Sequence, residues 1–133
     1  MPVILFNRPV PAPIATAELM AGIFAPLADQ PVETCAILYL DGQRRLVGMR
    51  HVVGRLNIIQ LSPRTVAADA LAFEARAAVM AHNHPSGDPS PSQADLVFTR
   101  QLVRGLEALG VSLGDHVILA RGGMTSLRAK GLL

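Results

Sequence analysis

The sequence predicts an α/β fold in which helices pack on one mixed β-sheet. The segment AAVMAH (77–82) is a continuous apolar run, typical of a buried central strand. TCAILYLDG (34–42) ends in an Asp-Gly turn, and RLVGMRHV (45–52) returns from it as the second strand of a β-hairpin. Helical patterns alternate with these strands along the chain, which is the order expected of a layered α/β domain.

The N-terminal part predicts one helix. Residues 1–13 are Pro-rich and are expected to form an extended lead-in. Thr16 is a candidate N-cap for a helix within 14–30, and Pro31 stops it. Its apolar positions share one face: Leu19, Met20, Ile23 and Leu27.

After the hairpin, the sequence predicts a third short strand and a second helix. LNIIQL (56–61) is the strand. Ser62 and Pro63 are typical of an N-cap and a first helical residue, and the helix is expected to reach about Ala77. Its expected core positions are Val66, Ala70, Phe73 and Ala77.

The C-terminal third predicts a helix and two strands. The helix covers 93–109 and ends at Gly110, with Leu96, Val103, Leu106 and Leu109 near helical spacing. VSLGDHVILA (111–120) is a further strand, and TSL (125–127) is a short last one. No internal repeat interrupts this order, so the prediction is a single domain over 1–133.

Composition limits the class of protein. Half of the 133 residues are hydrophobic and 17% are charged, which indicates one globular domain rather than a disordered chain. The net charge of +2 and the 4% of aromatic residues are weak arguments for a nucleic-acid partner. A single cysteine fits a reducing compartment, and neither a secretory signal nor a membrane span is evident. We therefore expect a cytoplasmic protein.

The segment AHNHPSGDPSPSQAD (81–95) carries the candidate metal ligands. Residues i and i+2 of a strand point to the same face, so His82 and His84 lie side by side while Asn83 faces away. The loop that follows can bring Asp95, in the first turn of the next helix, opposite the two rings. Two imidazoles and one carboxylate suit Zn²⁺ at about 2.0–2.2 Å and leave a fourth position for water.

Helix capping could also account for part of this segment. Ser92-x-x-Asp95 matches a helix capping box, and capping alone would account for both residues without any metal. Capping does not account for two histidines on the same face at the end of an apolar strand, where unpaired imidazoles would be costly to bury. Capping and metal binding are compatible, because a helix start fixes the position of Asp95.

These residues resemble the JAMM (JAB/MPN+) metalloproteases, whose motif is His-x-His, seven residues, Ser, two residues, Asp. HNHPSG is most similar to the RadC-type version. ETCAILYLD resembles the run opened by the family's upstream glutamate, which places Glu33; SPRTVAADAL and DHVILA are similar to two further family segments. The resemblance implies a JAMM/MPN-type α/β sandwich of cytidine-deaminase-like architecture. Deaminase chemistry itself is excluded, because its Pro-Cys-x-x-Cys segment is absent.

The resemblance also implies a reaction and a role for each site residue. Zn²⁺ held by His82, His84 and Asp95 would activate water for hydrolysis of an amide bond. Glu33 would accept the proton and pass it to the leaving amine, and the Ser92 hydroxyl would donate a hydrogen bond to the developing oxyanion. The implied substrate is a peptide or a protein conjugate.

Other polar residues leave alternatives open. Asp115 and His116 either orient a ligand histidine or form an ordinary strand pair, and His116 as a fourth ligand is a minor possibility. Cys35 is interpreted as a small core residue. Four arginines in 44–55 indicate a solvated hairpin or, less strongly, a phosphate-binding surface: Arg44, Arg45, Arg50 and Arg55.

Two rival functions follow from the same resemblance. RadC-type proteins carry a DNA-repair association, so the chain could instead bind DNA or act on phosphodiesters. Their helix-hairpin-helix region has no visible counterpart here, and GRLNIIQLS departs from the family pattern. The other rival is a non-catalytic JAMM-fold interaction module, against which the complete ligand set argues.

Overall fold

The computed structural model describes residues 3–5, 22, 24–54 and 61–133. These residues form six β-strands, two α-helices and one 3₁₀ helix. In chain order the elements are β1 (Val3–Leu5), the 3₁₀ helix (Ala25–Asp29), β2 (Thr34–Leu40), β3 (Leu46–Val53), α1 (Pro63–Ala72), β4 (Ala77–Asn83), α2 (Gln93–Glu107), β5 (Ser112–Ala120) and β6 (Gly123–Ser126).

The strands form one mixed sheet in the order β1-β3-β2-β4-β5-β6. β2 pairs antiparallel with both β3 and β4, whereas β4 and β5 are parallel and are connected through α2. β2 and β4 therefore occupy the centre, and every residue of β2 is buried. The predicted α/β class, its mixed sheet and the central strand at 77–82 are confirmed.

The two faces of the sheet bury different sets of residues. On one face, alternate residues of β2 and β4 pack against α1 and α2; this cluster includes Ile37, Met80, Val66 and Leu102. On the other face, the remaining alternate residues pack with the 3₁₀ helix, where Phe24 and Leu27 are buried. The face covered by α1 and α2 is the one that matters for the site, because α2 begins on this side of the sheet.

A buried carboxylate, that of Asp69, connects α1 to strands β2 and β3. Asp69 of α1 accepts hydrogen bonds from the Tyr39 hydroxyl (2.8 Å) and from Arg50 Nη2 (2.8 Å), and Arg50 Nε also donates to it. Burial and the neighbouring Asp69 carboxylate raise the pKa of Tyr39, so its hydroxyl stays protonated and remains a donor. The paired charges let a carboxylate sit in the core.

Several predicted boundaries differ from the structure. α1 ends at Ala72 rather than near Ala77, because the chain turns at Glu74, which has a φ of 54°. The amide of Ala75 then bonds back to the carbonyl of Ala70 at 2.8 Å, which closes the helix end. Residues 77 onward belong to β4.

The remaining boundaries are closer to prediction. α2 ends at Glu107, and Gly110 adopts a φ of 73° just beyond it, as a helix stop requires. The predicted last strand becomes β6 (Gly123–Ser126), and the lead-in contributes β1. Most of the helix predicted for 14–30, and the strand predicted for 56–61 apart from Leu61, lie outside the described residues.

Among the helices that the structure describes, none is both long and apolar enough to cross a membrane.

Candidate metal centre

The pairing of β2 with β4 brings two chain segments together at one end of the sheet. Cys35 is the register partner of His82, so Glu33, just before β2, lies beside the end of β4 where His84 follows. The loop after His84 leads into α2, whose first turn carries Asp95 over the same face. Glu33, His82, His84 and Asp95 each contribute one ligand-type atom, and these atoms all lie within 4.8 Å of one another.

The two imidazoles and the Asp95 carboxylate make the tightest part of this group. His82 Nε2 lies 3.0 Å from His84 Nε2 and 3.3 Å from Asp95 Oδ1. His84 Nε2 lies 3.1 Å from Asp95 Oδ2. Glu33 stands further off, with its Oε1 4.0 Å from His82 Nε2. Since the histidine and aspartate atoms converge on one point, this trio forms the centre and Glu33 borders it.

A chain of hydrogen bonds behind His82 fixes which of its nitrogens carries the proton. The Thr99 hydroxyl donates to the backbone carbonyl of Asp95 (2.7 Å), so it accepts from His116 Nδ1 (2.7 Å). Burial lowers the pKa of His116 to about 3, and this neutral ring therefore has an unprotonated Nε2. That Nε2 accepts from His82 Nδ1 at 2.7 Å. His82 is left with a lone pair on Nε2, directed into the centre.

His84 also carries its proton on Nδ1, but a different hydrogen bond fixes it there. Its Nδ1 donates to the backbone carbonyl of Asp88 at 2.9 Å, in the loop between β4 and α2. In the neutral ring, Nε2 therefore also presents a lone pair, toward His82 Nε2 and the Asp95 carboxylate. Two facing lone pairs and an anion repel one another unless a proton or a metal ion lies between them. The donor set therefore fits a bound metal ion.

Asp95 serves the helix and the centre at once. Ser92 Oγ accepts from the Asp95 amide (3.0 Å), and Asp95 Oδ2 accepts from the Ser92 amide (2.8 Å), which completes the predicted capping box. Burial opposes ionisation of Asp95, but the hydrogen bonds that its carboxylate accepts outweigh this effect, and the pKa of Asp95 lies well below its usual range. The carboxylate is thus a candidate anionic ligand that the helix start holds in place.

Ser92 keeps a free donor in this arrangement. Its hydroxyl has one proton and two lone pairs, and the cap uses a lone pair. Ser92 is exposed at the helix start, next to the aspartate. The hydroxyl proton can therefore be offered to a group outside the protein.

The structure separates two residues that the sequence left as a pair. His116 is buried and contacts His82, as the orienting alternative predicts, and its Nε2 is engaged there rather than facing the centre. Asp115 points elsewhere: it accepts from the Ser126 hydroxyl at 2.6 Å and from the Arg128 amide at 3.1 Å. Its role is to tie β5 to the C-terminal segment.

Most of the remaining candidates have clear positions, and Arg55 lies outside the described residues. Cys35 is buried in the core, where burial raises the pKa of its thiol, so it is no nucleophile at neutral pH. Arg45 pairs with Asp41 at 2.7 Å, and Arg50 is engaged by Asp69.

Sequence reasoning missed two polar residues close to the centre. Thr99 lies one helical turn after Asp95 on the buried side of α2, and this spacing alone could have indicated a contact with the site. Asn83 was correctly expected to face away from the histidines, but its side chain is fully buried and makes three hydrogen bonds.

Fold and site together define a layered α/β domain with a histidine, histidine and aspartate centre bordered by a glutamate. Residues 14–132 match the family model of the RadC-like JAB domain, and the chain belongs to this family. The predicted family is thereby confirmed.

Curated relatives come from both bacteria and archaea. The chain is 44% identical over 111 residues to UPF0758 protein BAV2405 of Bordetella avium, covering 80% of this chain and 48% of that protein. It is 36% identical over 117 residues to a UPF0758 protein of Methanosarcina acetivorans, covering 87% and 51%. The chain thus spans about half the length of the curated relatives it matches.

Proposed function

We propose that the chain is a zinc-dependent hydrolase of amide bonds, a peptidase or isopeptidase. One observation carries the proposal: two histidine lone pairs and a carboxylate converge, with their ligand atoms 3.0 to 3.3 Å apart, beside a further carboxylate. Three protein ligands leave a coordination position open, which is the pattern of catalytic rather than structural zinc sites.

Zinc is the metal that this donor set favours. Neutral imidazoles and one carboxylate are its usual ligands, at about 2.0–2.2 Å, whereas magnesium and calcium prefer oxygen ligands alone. When bound, zinc supplies a Lewis acid that polarises a carbonyl and lowers the pKa of water to about 7. The protein residues hold it, orient the substrate and move protons.

Glu33 is proposed as the general base. It borders the centre without joining its tightest contacts, and its side chain is 24% exposed, so it can meet both solvent and substrate. From this position its carboxylate can take a proton from water and deliver it to the leaving amine. Such proton transfer typically contributes about 10²–10⁴-fold to a rate.

Ser92 is proposed to stabilise the oxyanion. Its hydroxyl proton is not used by the helix cap, and the rigid helix start fixes the direction from which it is offered. Removal of one such donor costs about 3 kcal/mol in activation free energy.

The proposed substrate is a peptide or a protein conjugate in the cytoplasm. A free, buried cysteine is consistent with a reducing compartment. Phosphate binding by the arginine hairpin is not favoured, because Arg45 and Arg50 are both engaged by carboxylates of the chain itself.

Metal analysis combined with a peptide-library cleavage screen tests the proposal. We expect about one zinc per chain and turnover in the wild type, and in Glu33→Gln we expect the same zinc content without turnover. Glu107→Gln, at the exposed end of α2, is the matched control and should behave as the wild type. Cleavage by Glu33→Gln at the rate of the parent would show that the general base is another group.

A further inference from the structure

We propose that Asn83 is a positioning residue for Glu33, acting from the face of the sheet opposite to the metal centre. This inference rests on the proposed role of Glu33. Asn83 lies between the two histidines in sequence, and its side chain points to the other side of β4, away from both rings. It therefore cannot touch the metal or the substrate, and any effect on the reaction must pass through the segment that it holds.

The side chain of Asn83 binds the backbone on both sides of Glu33. Its Oδ1 accepts from the amide of Thr34, the residue that follows Glu33. Its Nδ2 donates to the carbonyl of Val32, the residue before, at 3.0 Å, and to the carbonyl of Gln30 at 3.1 Å. One amide group thus clamps three backbone positions across the glutamate.

This clamp lies just before the point where the regular pairing of β2 with β4 begins, at Cys35 and His82. Glu33 precedes β2, and its carbonyl accepts from the Gly54 amide at 2.7 Å, on the β3 side. Asn83 supplies the hold on the β4 side. Without it, the backbone that carries the glutamate would be fixed along one edge only, and the distance from carboxylate to centre would be free to vary.

The chemistry of the clamp requires an amide side chain. Two donors and one acceptor are needed in one short planar group, and asparagine provides them. Aspartate of the same shape keeps the acceptor for Thr34 but loses the donors, while leucine of similar size loses all three bonds. His82 and His84 flank Asn83 at the same strand end, so the ligands and the base share one support.

The test uses zinc-loaded protein and acetohydroxamic acid, a small chelator that binds zinc and gives up a proton to a neighbouring carboxylate. Its affinity is measured by calorimetry for the wild type, Glu33→Gln, Asn83→Asp, Asn83→Leu and the double variant Glu33→Gln/Asn83→Asp. Zinc affinity is measured in parallel. Val79→Ala is the control for general destabilisation, because Val79 is buried on the same strand and face as Asn83 without touching the clamp.

We expect Glu33→Gln and Asn83→Asp each to weaken acetohydroxamate binding about tenfold or more, the factor for losing one hydrogen bond to a charged group. Zinc affinity should stay near that of the wild type, because none of the three ligands is altered. The double variant should be no weaker than Glu33→Gln alone, since Asn83 acts through Glu33. Asn83→Leu should behave like Asn83→Asp if it folds, and Val79→Ala like the wild type.

Different outcomes overturn different claims. If the losses from Glu33→Gln and Asn83→Asp multiply in the double variant, or if Asn83→Asp binds as tightly as the wild type, Asn83 does not position Glu33. An equal loss in Val79→Ala would assign the effect to stability and also overturn the inference. Unchanged binding by Glu33→Gln, or failure to load zinc, would instead overturn the proposed function on which the inference rests.

Discussion

Replacement of His116 by phenylalanine should weaken zinc binding although His116 is not a ligand. The His82 Nδ1 proton is accepted by His116 at 2.7 Å in a fully buried position. Phenylalanine offers no acceptor, so His82 must either keep an unpaired buried N–H or move its proton to Nε2. The second choice removes the lone pair that binds the metal.

The cost follows from this geometry. A buried donor without a partner costs about 1–3 kcal/mol. Because about 1.4 kcal/mol corresponds to a factor of ten, zinc affinity should fall by about 5- to 150-fold. This range agrees with the loss of about 10- to 100-fold usual for residues that orient metal-binding histidines.

Zinc affinity is measured by competition with a chromophoric chelator, and thermal unfolding in EDTA reports whether the apo variant is folded. His116→Gln should recover part of the affinity, because an amide can accept from His82 and donate to Thr99. Ile118→Val, two residues along β5 and also fully buried, is the packing control and should bind zinc normally. Wild-type zinc affinity in a folded His116→Phe would refute the reasoning.

Three further predictions concern the loop, the buried histidine and the cysteine. Gly122→Ala should lower zinc affinity, because an added Cβ would lie 2.5 Å from the carbonyl oxygen of Gly87 and would displace the loop that holds His84. Gly105→Ala is the control: it has open space around it and should leave zinc affinity unchanged in the same zinc titration. Metal-free protein should lose stability as pH falls from 6.5 toward 3, because His116 becomes protonated in the unfolded chain but stays neutral in the folded protein, where its pKa is lowered to about 3. In urea unfolding, the free energy of unfolding should fall by up to roughly 1.4 kcal/mol per pH unit. A His116→Gln variant with the same slope would contradict this. Cys35 should react with a thiol reagent at pH 8 only after unfolding, because burial raises its pKa; rapid labelling of native protein would contradict its placement.

The strands were the easiest elements to predict from the sequence. β2 and β4 are central strands buried on both faces, and short apolar runs bounded by turn residues are typical of such strands. The end of α1 was harder, because Ala75 and Ala77 continue an apolar helical pattern after the helix has stopped. What stops it is a left-handed turn at Glu74, a residue type that rarely adopts that conformation.

The convergence of the three candidate ligands could be predicted because two local rules determine it. Alternation along β4 puts His82 and His84 on one face, and the capping box fixes Asp95 at the start of α2. The supports of these ligands could not be predicted in the same way. His116 and Asn83 meet their partners through contacts 17 to 53 positions apart in sequence, which depend on the tertiary fold.

The predicted core face of α2 illustrates the same limit. Leu106 is buried as expected, whereas Leu109 lies beyond the helix and is exposed. The buried stripe instead contains Asp95 and Thr99, polar residues that hydropathy assigns to the surface. Their burial follows from the centre that they build, and a pattern of apolar residues carries no information about it.

The most direct test of the central claim is a crystal structure of zinc-loaded protein with anomalous data collected at the zinc edge. We predict one peak between β4 and α2, about 2.0–2.2 Å from His82 Nε2, His84 Nε2 and an Asp95 carboxylate oxygen, with Glu33 outside bonding distance. Zinc bound elsewhere, or these three side chains with no ion among them in crystals grown with excess zinc, would contradict it.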